Sequence, residues 1–204
     1  MSSVFEGPPG STPIDPEAQD DLLPTWIATR ANLNAAEQAN VARATTWVFG
    51  RAWSVDDLTQ TWLKGLHRRM FGDVWRWAGV YRRRDTNIGV PWFEISTSLE
   101  LLLGDLRTQT ADRNALAWPA DELAVRLHHH LVSVHPFLNG NGRHARLAAD
   151  VVVVALGAER FQWGGEVDLV ESGPVREMYM AALHAADRTS DYAPLAAFAR
   201  QSHR

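Results

Sequence analysis

Between two stretches of helical pattern runs His135-Pro136-Phe137-Leu138-Asn139-Gly140-Asn141-Gly142-Arg143-His144-Ala145-Arg146. Residue types in this order can hold a phosphate chain against a nucleophile. A neutral imidazole at His135 accepts a proton from a hydroxyl near physiological pH. Gly140 and Gly142 let the backbone approach an anion closely, and the N–H groups that open the next helix face that anion, reinforced by the helix dipole. Arg143 and Arg146 stand three residues apart on that helix, hence roughly on one face, and can reach the same phosphate. Each half alone is ordinary, since a histidine at a helix end is most often structural and Asn-Gly pairs mark turns in any protein. Their conjunction points to chemistry.

The neighbouring elements must position this run. Pro119 and Asp121 suit the first turn of a helix reaching Val134, which places His135 at the boundary between core and cleft. Pro136 stops that helix and Phe137 anchors the loop in the core. After the glycine turn, RLAADVVVVALG is apolar almost all round, the pattern of a helix at the centre of a fold. Upstream, Asn34 and Glu37 form a capping-box-like start for a helix over 34–49. Ser54 and Asp57 open another, carrying Leu58, Trp62, Leu66 and Met70 and stopped by Gly72. Tyr81–Ile95 is aromatic and β-branched but broken by Asn87, Gly89 and Pro91, which predicts a short β-hairpin or flap. Thr97 and Glu100 cap a helix with Leu101, Leu102, Leu103 and Leu106. Ser172-Gly173-Pro174 begins one to about Ala186, and Asp191 begins the last. The expected fold class is all-α, a helical bundle with one small hairpin, over residues 25–204 and behind an irregular arm at 1–24.

Composition bounds the rest. The chain of 204 residues is 46% hydrophobic and 22% charged, which suits a folded domain with a sizeable core. A net charge of -4 offers no bulk attraction to nucleic acid or to an anionic membrane surface. With no cysteine, disulfide and thiol chemistry are excluded. Neither a signal-like start nor an apolar run of membrane-spanning length is present, so a cytoplasmic location is expected.

HPFLNGNGRHAR resembles the signature of the Fic family, HxFx(D/E)GNGRxxR, at every fixed position but one. FGDVWRWAGVYR followed by a hairpin resembles the family's approach to its target-docking flap. Together with GSTPIDP and LNAAEQAN, the chain looks most like the group called mobile mystery protein B, carried on mobile elements. The resemblance implies a Fic-type helical bundle and transfer of AMP from ATP to a Ser, Thr or Tyr hydroxyl of a target protein. Carried over by position, His135 is the general base, and Gly140, Asn141 and Gly142 form the anion hole. Arg143 assists the phosphates and Arg146 holds the γ-phosphate, with Mg²⁺ bridging the phosphates. The flap, with Tyr81, Thr86, Asn87, Ile88, Gly89 and Trp92, takes an extended target segment by strand addition. A toxin role with a small antitoxin partner, and homo-oligomers, also belong to such relatives.

The departure is Asn139, where active members carry Asp or Glu. An amide oxygen coordinates a hard cation without negative charge, so Mg²⁺ binding is weaker. This leaves an alternative in which the domain is a weakened nucleotide-binding regulatory module, or transfers a different phosphate-containing group. Many relatives also have an inhibitory (S/T)xxxE(G/N) helix. Glu37 is the candidate here, with Leu33 and Gln38 off the pattern, and the expectation is a salt bridge from Glu37 to Arg146. Against that stands a plain capping role for Glu37. His128, His129 and His130 do not read as a metal site, because helix neighbours point about 100° apart. Arg82, Arg83 and Arg84 read as solvated flap residues or a lure for an acidic target, and Trp92 as the tryptophan best placed to touch a partner.

Overall fold

The computed structural model describes residues 20–201 apart from 113, 166–168 and 170–172, so most of the expected arm lies outside the described residues. Seven helices follow one another there: α1 (Arg30–Phe49), α2 (Gln60–Phe71), α3 (Ile95–Gln109), α4 (Ala120–Val134), α5 (Asn141–Ala155), α6 (Pro174–Thr189) and α7 (Ala193–Arg200). None of them is long and apolar enough to cross a membrane.

α5 is the centre of the bundle, as its all-round apolar sequence requires. Ala145, Ala148, Ala149, Val152 and Val153 are fully enclosed, and their small or β-branched side chains let α4, α2 and α1 pack closely around it. α4 is its principal partner, contributing Ala124, Leu127 and Leu131. α2 offers Leu63, Leu66, Met70 and Phe71, one stripe at helical spacing.

The ends of the elements differ from the sequence reading in instructive ways. α1 begins four residues before Asn34, at Arg30, because the Thr29 hydroxyl accepts the Asn32 N–H at 3.2 Å and caps it there. Asn34 is therefore interior, and Glu37 is released from capping. Ser54 and Asp57 do form a capping box, but on a 3₁₀ turn over Val55–Asp57; α2 starts afresh with Thr59 as its cap. α3 begins at Ile95 rather than Thr97, and it turns Leu99, Leu103 and Leu106 inward while Leu101 is 65% exposed.

The predicted hairpin is not a hairpin. Among the described residues no strand forms; 81–91 is an irregular strap ending in a 3₁₀ turn at Trp92–Glu94. Its backbone pairs instead with the chain after α4: the Arg82 N–H donates to Pro136 O at 3.0 Å and the Val90 N–H to Val134 O at 3.4 Å. Asn87, Gly89 and Pro91 interrupt any ladder, and the motif loop supplies the missing acceptors. At the other end, residues 21–23 are tied to the turn after α2, with the Leu23 N–H on Val74 O at 2.9 Å.

Candidate active site

The site is a cleft between the motif loop, α1, α6 and the strap. His135, Asn139, Gly140, Asn141, Gly142, Arg143 and Arg146 all line it, with Glu37 and Arg30 from α1, Ile88 from the strap and Tyr179 and Met180 from α6. The motif residues expected to act together are thus together.

His135 closes α4 in the left-handed conformation, φ 52° and ψ 59°, with its N–H on Leu131 O at 3.1 Å. Its Nδ1 lies 3.3 Å from Val132 O. A ring nitrogen facing a carbonyl carries the proton, which leaves the lone pair on Nε2. Burial, and after it the cation of Arg82, lowers the imidazole to about 4 despite the Val132 contact, so the ring is neutral at physiological pH. A neutral imidazole with its basic nitrogen fixed by the other nitrogen's hydrogen bond is what proton abstraction needs.

The loop that follows is held from inside. The Asn141 side chain accepts the Phe137 N–H at 2.9 Å and donates to Phe137 O at 2.8 Å, so it is a clasp for the turn. The main-chain N–H of Asn141, at the start of α5, is thereby left to face an anion. Phe137 is fully buried, and the His67 ring stacks on it at 3.7 Å. Gly140 has φ 77°, and a Cβ there would sit 2.6 Å from the Phe71 ring, so nothing but glycine fits. At Gly142 the nearest atom to a Cβ would be Arg146 Nη1 at 3.7 Å, so the backbone is bare where a phosphate would approach.

His67 was invisible in the sequence. It is fully buried on α2, its Nδ1 accepting the Gly79 N–H and its Nε2 donating to Asn139 O, both at 3.0 Å. These contacts fix the tautomer, and burial holds the ring neutral, well below its ordinary value. The one available signal was a histidine on the Leu63–Leu66–Met70 face of α2 with no apolar reason to be there. His144 does similar work, with Nε2 on Leu63 O at 3.0 Å, and burial lowers it to about 4.

The phosphate side is charged. Arg143 packs over the Phe71 ring at 4.7 Å and forms an ion pair with Glu37 at 2.7 Å. The other Glu37 oxygen accepts from Trp75 Nε1 at 2.6 Å. The expected pairing of Glu37 with Arg146 is thus corrected: its arginine is the first of the motif. Arg146, one turn farther along α5, bonds the Tyr179 hydroxyl instead, and that hydroxyl also contacts His128 Nε2 at 3.0 Å.

Asn139 turns its Oδ1 to the Gly140 N–H at 2.6 Å. An amide oxygen has a second lone pair, so one neutral donor plus substrate phosphates fits Mg²⁺, which takes few protein ligands. Of the flap residues, Ile88 reaches the cleft, Trp92 is 45% exposed, and Thr86 donates to Ile88 O at 2.6 Å. Tyr81 points inward, its ring 5.4 Å from Phe137, and belongs to the loop's packing. The three adjacent histidines diverge: His128 meets Tyr179, His129 meets Asp187 at 2.7 Å, and His130 meets Arg126 O at 2.7 Å. Arg82, read from sequence as solvated, has a fully enclosed side chain.

Residues 57–153, which include the whole loop, all of α4 and nearly all of α5, match the Fic/DOC family. That segment is similar to the Fic/DOC family, and the bundle around it has the Fic helical fold. Among curated relatives, protein adenylyltransferase VbhT of Bartonella schoenbuchensis is 29% identical over 136 residues, which is 65% of this chain and 28% of VbhT. Fic-1 from C. elegans superposes with a TM-score of 0.58 at 26% identity, covering 79% of this chain and 46% of that one. The N-terminal Fic domain of a VirB-translocated Bep effector from Bartonella quintana, solved with bound ADP, has the same fold at 20% identity, with a TM-score of 0.58 and 86% of each chain covered. This chain therefore spans less than half the length of VbhT and of the Fic-1 structure. The Fic match agrees with the helical bundle, and the expected β-hairpin flap is not seen, since among the described residues the segment over the loop forms no strand.

Proposed function

We propose that this Fic domain transfers a nucleotide from ATP to a hydroxyl of a target protein, with His135 as general base. The observation that carries the reading is the placement of His135. Its Nδ1 lies 3.3 Å from Val132 O, at the lip of a cleft floored by the N-terminus of α5 and flanked by Arg143 and Arg146. The α- and β-phosphates sit on the N–H groups of Asn141, Gly142 and Arg143, where helix dipole and bare backbone favour an anion. Arg146 takes the terminal phosphate, exchanging its Tyr179 contact for a charged one. Nε2 of His135 removes the proton of a Ser, Thr or Tyr hydroxyl as its oxygen attacks the α-phosphorus, and pyrophosphate leaves. Asn139 would hold Mg²⁺, which supplies charge neutralisation between the phosphates.

Two features support a restrained enzyme. The Glu37–Arg143 pair lies where the phosphates would enter, so a nucleotide must first displace a carboxylate, and Asn139 brings no charge to the metal. Relief of the pair is the proposed regulation, in place of the expected bridge to Arg146. Because Glu37 belongs to this chain, the restraint needs no separate antitoxin. The strap and the exposed Trp92 and Phe93, ring centroids 6.0 Å apart, form the docking side for the target. The Bartonella quintana domain, solved with bound ADP, supports nucleotide binding by this fold. The reading is tested by incubating the chain with each nucleoside triphosphate and Mg²⁺ and mapping modified peptides. Adenylylated peptides from ATP support it; transfer of phosphate alone would favour the alternative reaction.

A further inference from the structure

We propose that Arg82 is the positioning residue of this site, a clamp that fastens the strap to the backbone of His135 so that the docking segment and the base move as one body. The proposal rests on the reading of His135 as the base. The Arg82 side chain is 0% exposed. Its Nε donates to His135 O at 2.7 Å, Nη2 to Val134 O at 3.3 Å and to Val90 O, and Nη1 to Arg84 O at 3.0 Å. Its main-chain N–H donates to Pro136 O at 3.0 Å. One side chain thus ties both ends of the strap, residues 84 and 90, to both residues at the end of α4.

Burying a cation costs several kcal/mol, about what good pairing recovers, so a methionine of similar length would give the fold comparable stability. What methionine cannot give is geometry. The planar fork presents five donors in fixed directions, and lysine cannot reproduce it. Such geometry is needed here, because His135 is a non-glycine residue at φ 52°, a strained conformation that persists only where its surroundings enforce it. Gly89 shows how tightly the strap closes: a Cβ there would lie 2.6 Å from Arg82 Nη2 and 2.8 Å from His135 Cβ. A target segment seated on the strap therefore presses on the base through this clamp.

The groups facing the imidazole include the Val132 carbonyl from α4 and the Arg82 cation from the strap, and Asp85 lies 3.7 Å from Arg82 Nη1. Opening the clamp admits water and moves the cation away, and both effects raise the His135 midpoint. The test is NMR of ¹³C-histidine-labelled protein with amide exchange, on Arg82→Lys and Arg82→Met, and needs neither nucleotide nor target. In both variants the amides of residues 82 and 90 exchange about tenfold faster or more. The His135 midpoint rises by about one unit or more from its low value, while His144 keeps its own. Wild-type exchange and midpoint in Arg82→Lys would overturn the clamp, as would an equal rise at His144, which marks general loosening. Should Arg82→Met not fold, Gly89→Ala opens the clamp from the strap side and must move His135 in the same direction. These readouts stand apart from transfer, so loss of the clamp and loss of the base role are separately visible.

Discussion

The two sides of the cleft are built on opposite principles. Around the base, the working groups are buried, neutral and tied to backbone: His135 to Val132, His67 to Gly79 and Asn139, His144 to Leu63. Where the phosphates are proposed to sit they are charged, with the Arg143 side chain 18% accessible and paired to a carboxylate. Buried, hydrogen-bonded neutral groups have one low-energy arrangement, so the base side is fixed before substrate arrives. The Glu37–Arg143 pair is largely enclosed, with side chains 8% and 18% exposed, so on the proposed reading it opens only when a nucleotide phosphate takes the place of Glu37 on Arg143. Regulation is therefore expected on the phosphate side and chemistry on the base side.

Breaking the base side has the largest effects. Removing the imidazole with His135→Ala lowers transfer by about 10²–10⁴-fold with little change in nucleotide affinity, checked by single-turnover kinetics and calorimetry. Acid attacks the same side. His135 and His144 are depressed to about 4 and His128 to about 3, so the unfolded chain binds more protons below its ordinary histidine value. Their stabilisation is complete above about pH 6.5 and is lost as pH falls from there through the folded values, at most about 3–5 kcal/mol for each ring. Asp150, raised to about 6 by burial, works the other way, stabilising at low pH and losing that as pH rises through about 6. Denaturant melts between pH 7 and 4 should therefore show stability falling with acid, the buried histidines, His67 among them, outweighing one carboxylate. A flat profile would mean that these rings are not buried neutral.

Changes on the phosphate side sharpen the comparison by raising activity. Glu37→Gly removes the partner of Arg143 and is expected to increase nucleotide affinity and transfer by about tenfold or more, the equivalent of one charge-assisted hydrogen bond. Its effect on the His135 midpoint should be nil. Asn139→Asp restores a charge for Mg²⁺ and gives a smaller gain of about a few fold, seen as a lower Mg²⁺ requirement in a transfer titration. If Asn139→Asp instead lowers activity, the amide is serving the loop and not the metal.

Much of this could be read in the chain. The buried α5 follows from RLAADVVVVALG, and the meeting of His135, Gly142, Arg143 and Arg146 follows from a helix stop and helix start seven residues apart or fewer. What escaped was long-range. His67 reaches Asn139 across 72 positions, and a polar residue on an apolar face does not name its partner. Arg82 is chemically the same as Arg83 and Arg84, and only the fold decides which of the three is enclosed. Thr29 outcompeted Asn34 as the cap of α1, which lengthened the helix and left Glu37 to find Arg143. The strap looked like a hairpin because its residues favour strands, but its acceptors lie on the motif loop and not on itself.

The central claim is that His135 moves a nucleotide onto a protein hydroxyl from a cleft restrained by Glu37. Intact-mass spectrometry of Glu37→Gly and of the Glu37→Gly/His135→Ala double variant, each incubated with Mg²⁺-ATP and a candidate protein target or the chain itself, tests it most directly. The account predicts a mass increase of one AMP on a Ser, Thr or Tyr in the first and none in the second. The same adduct in both, or a phosphate adduct in place of AMP, would contradict it.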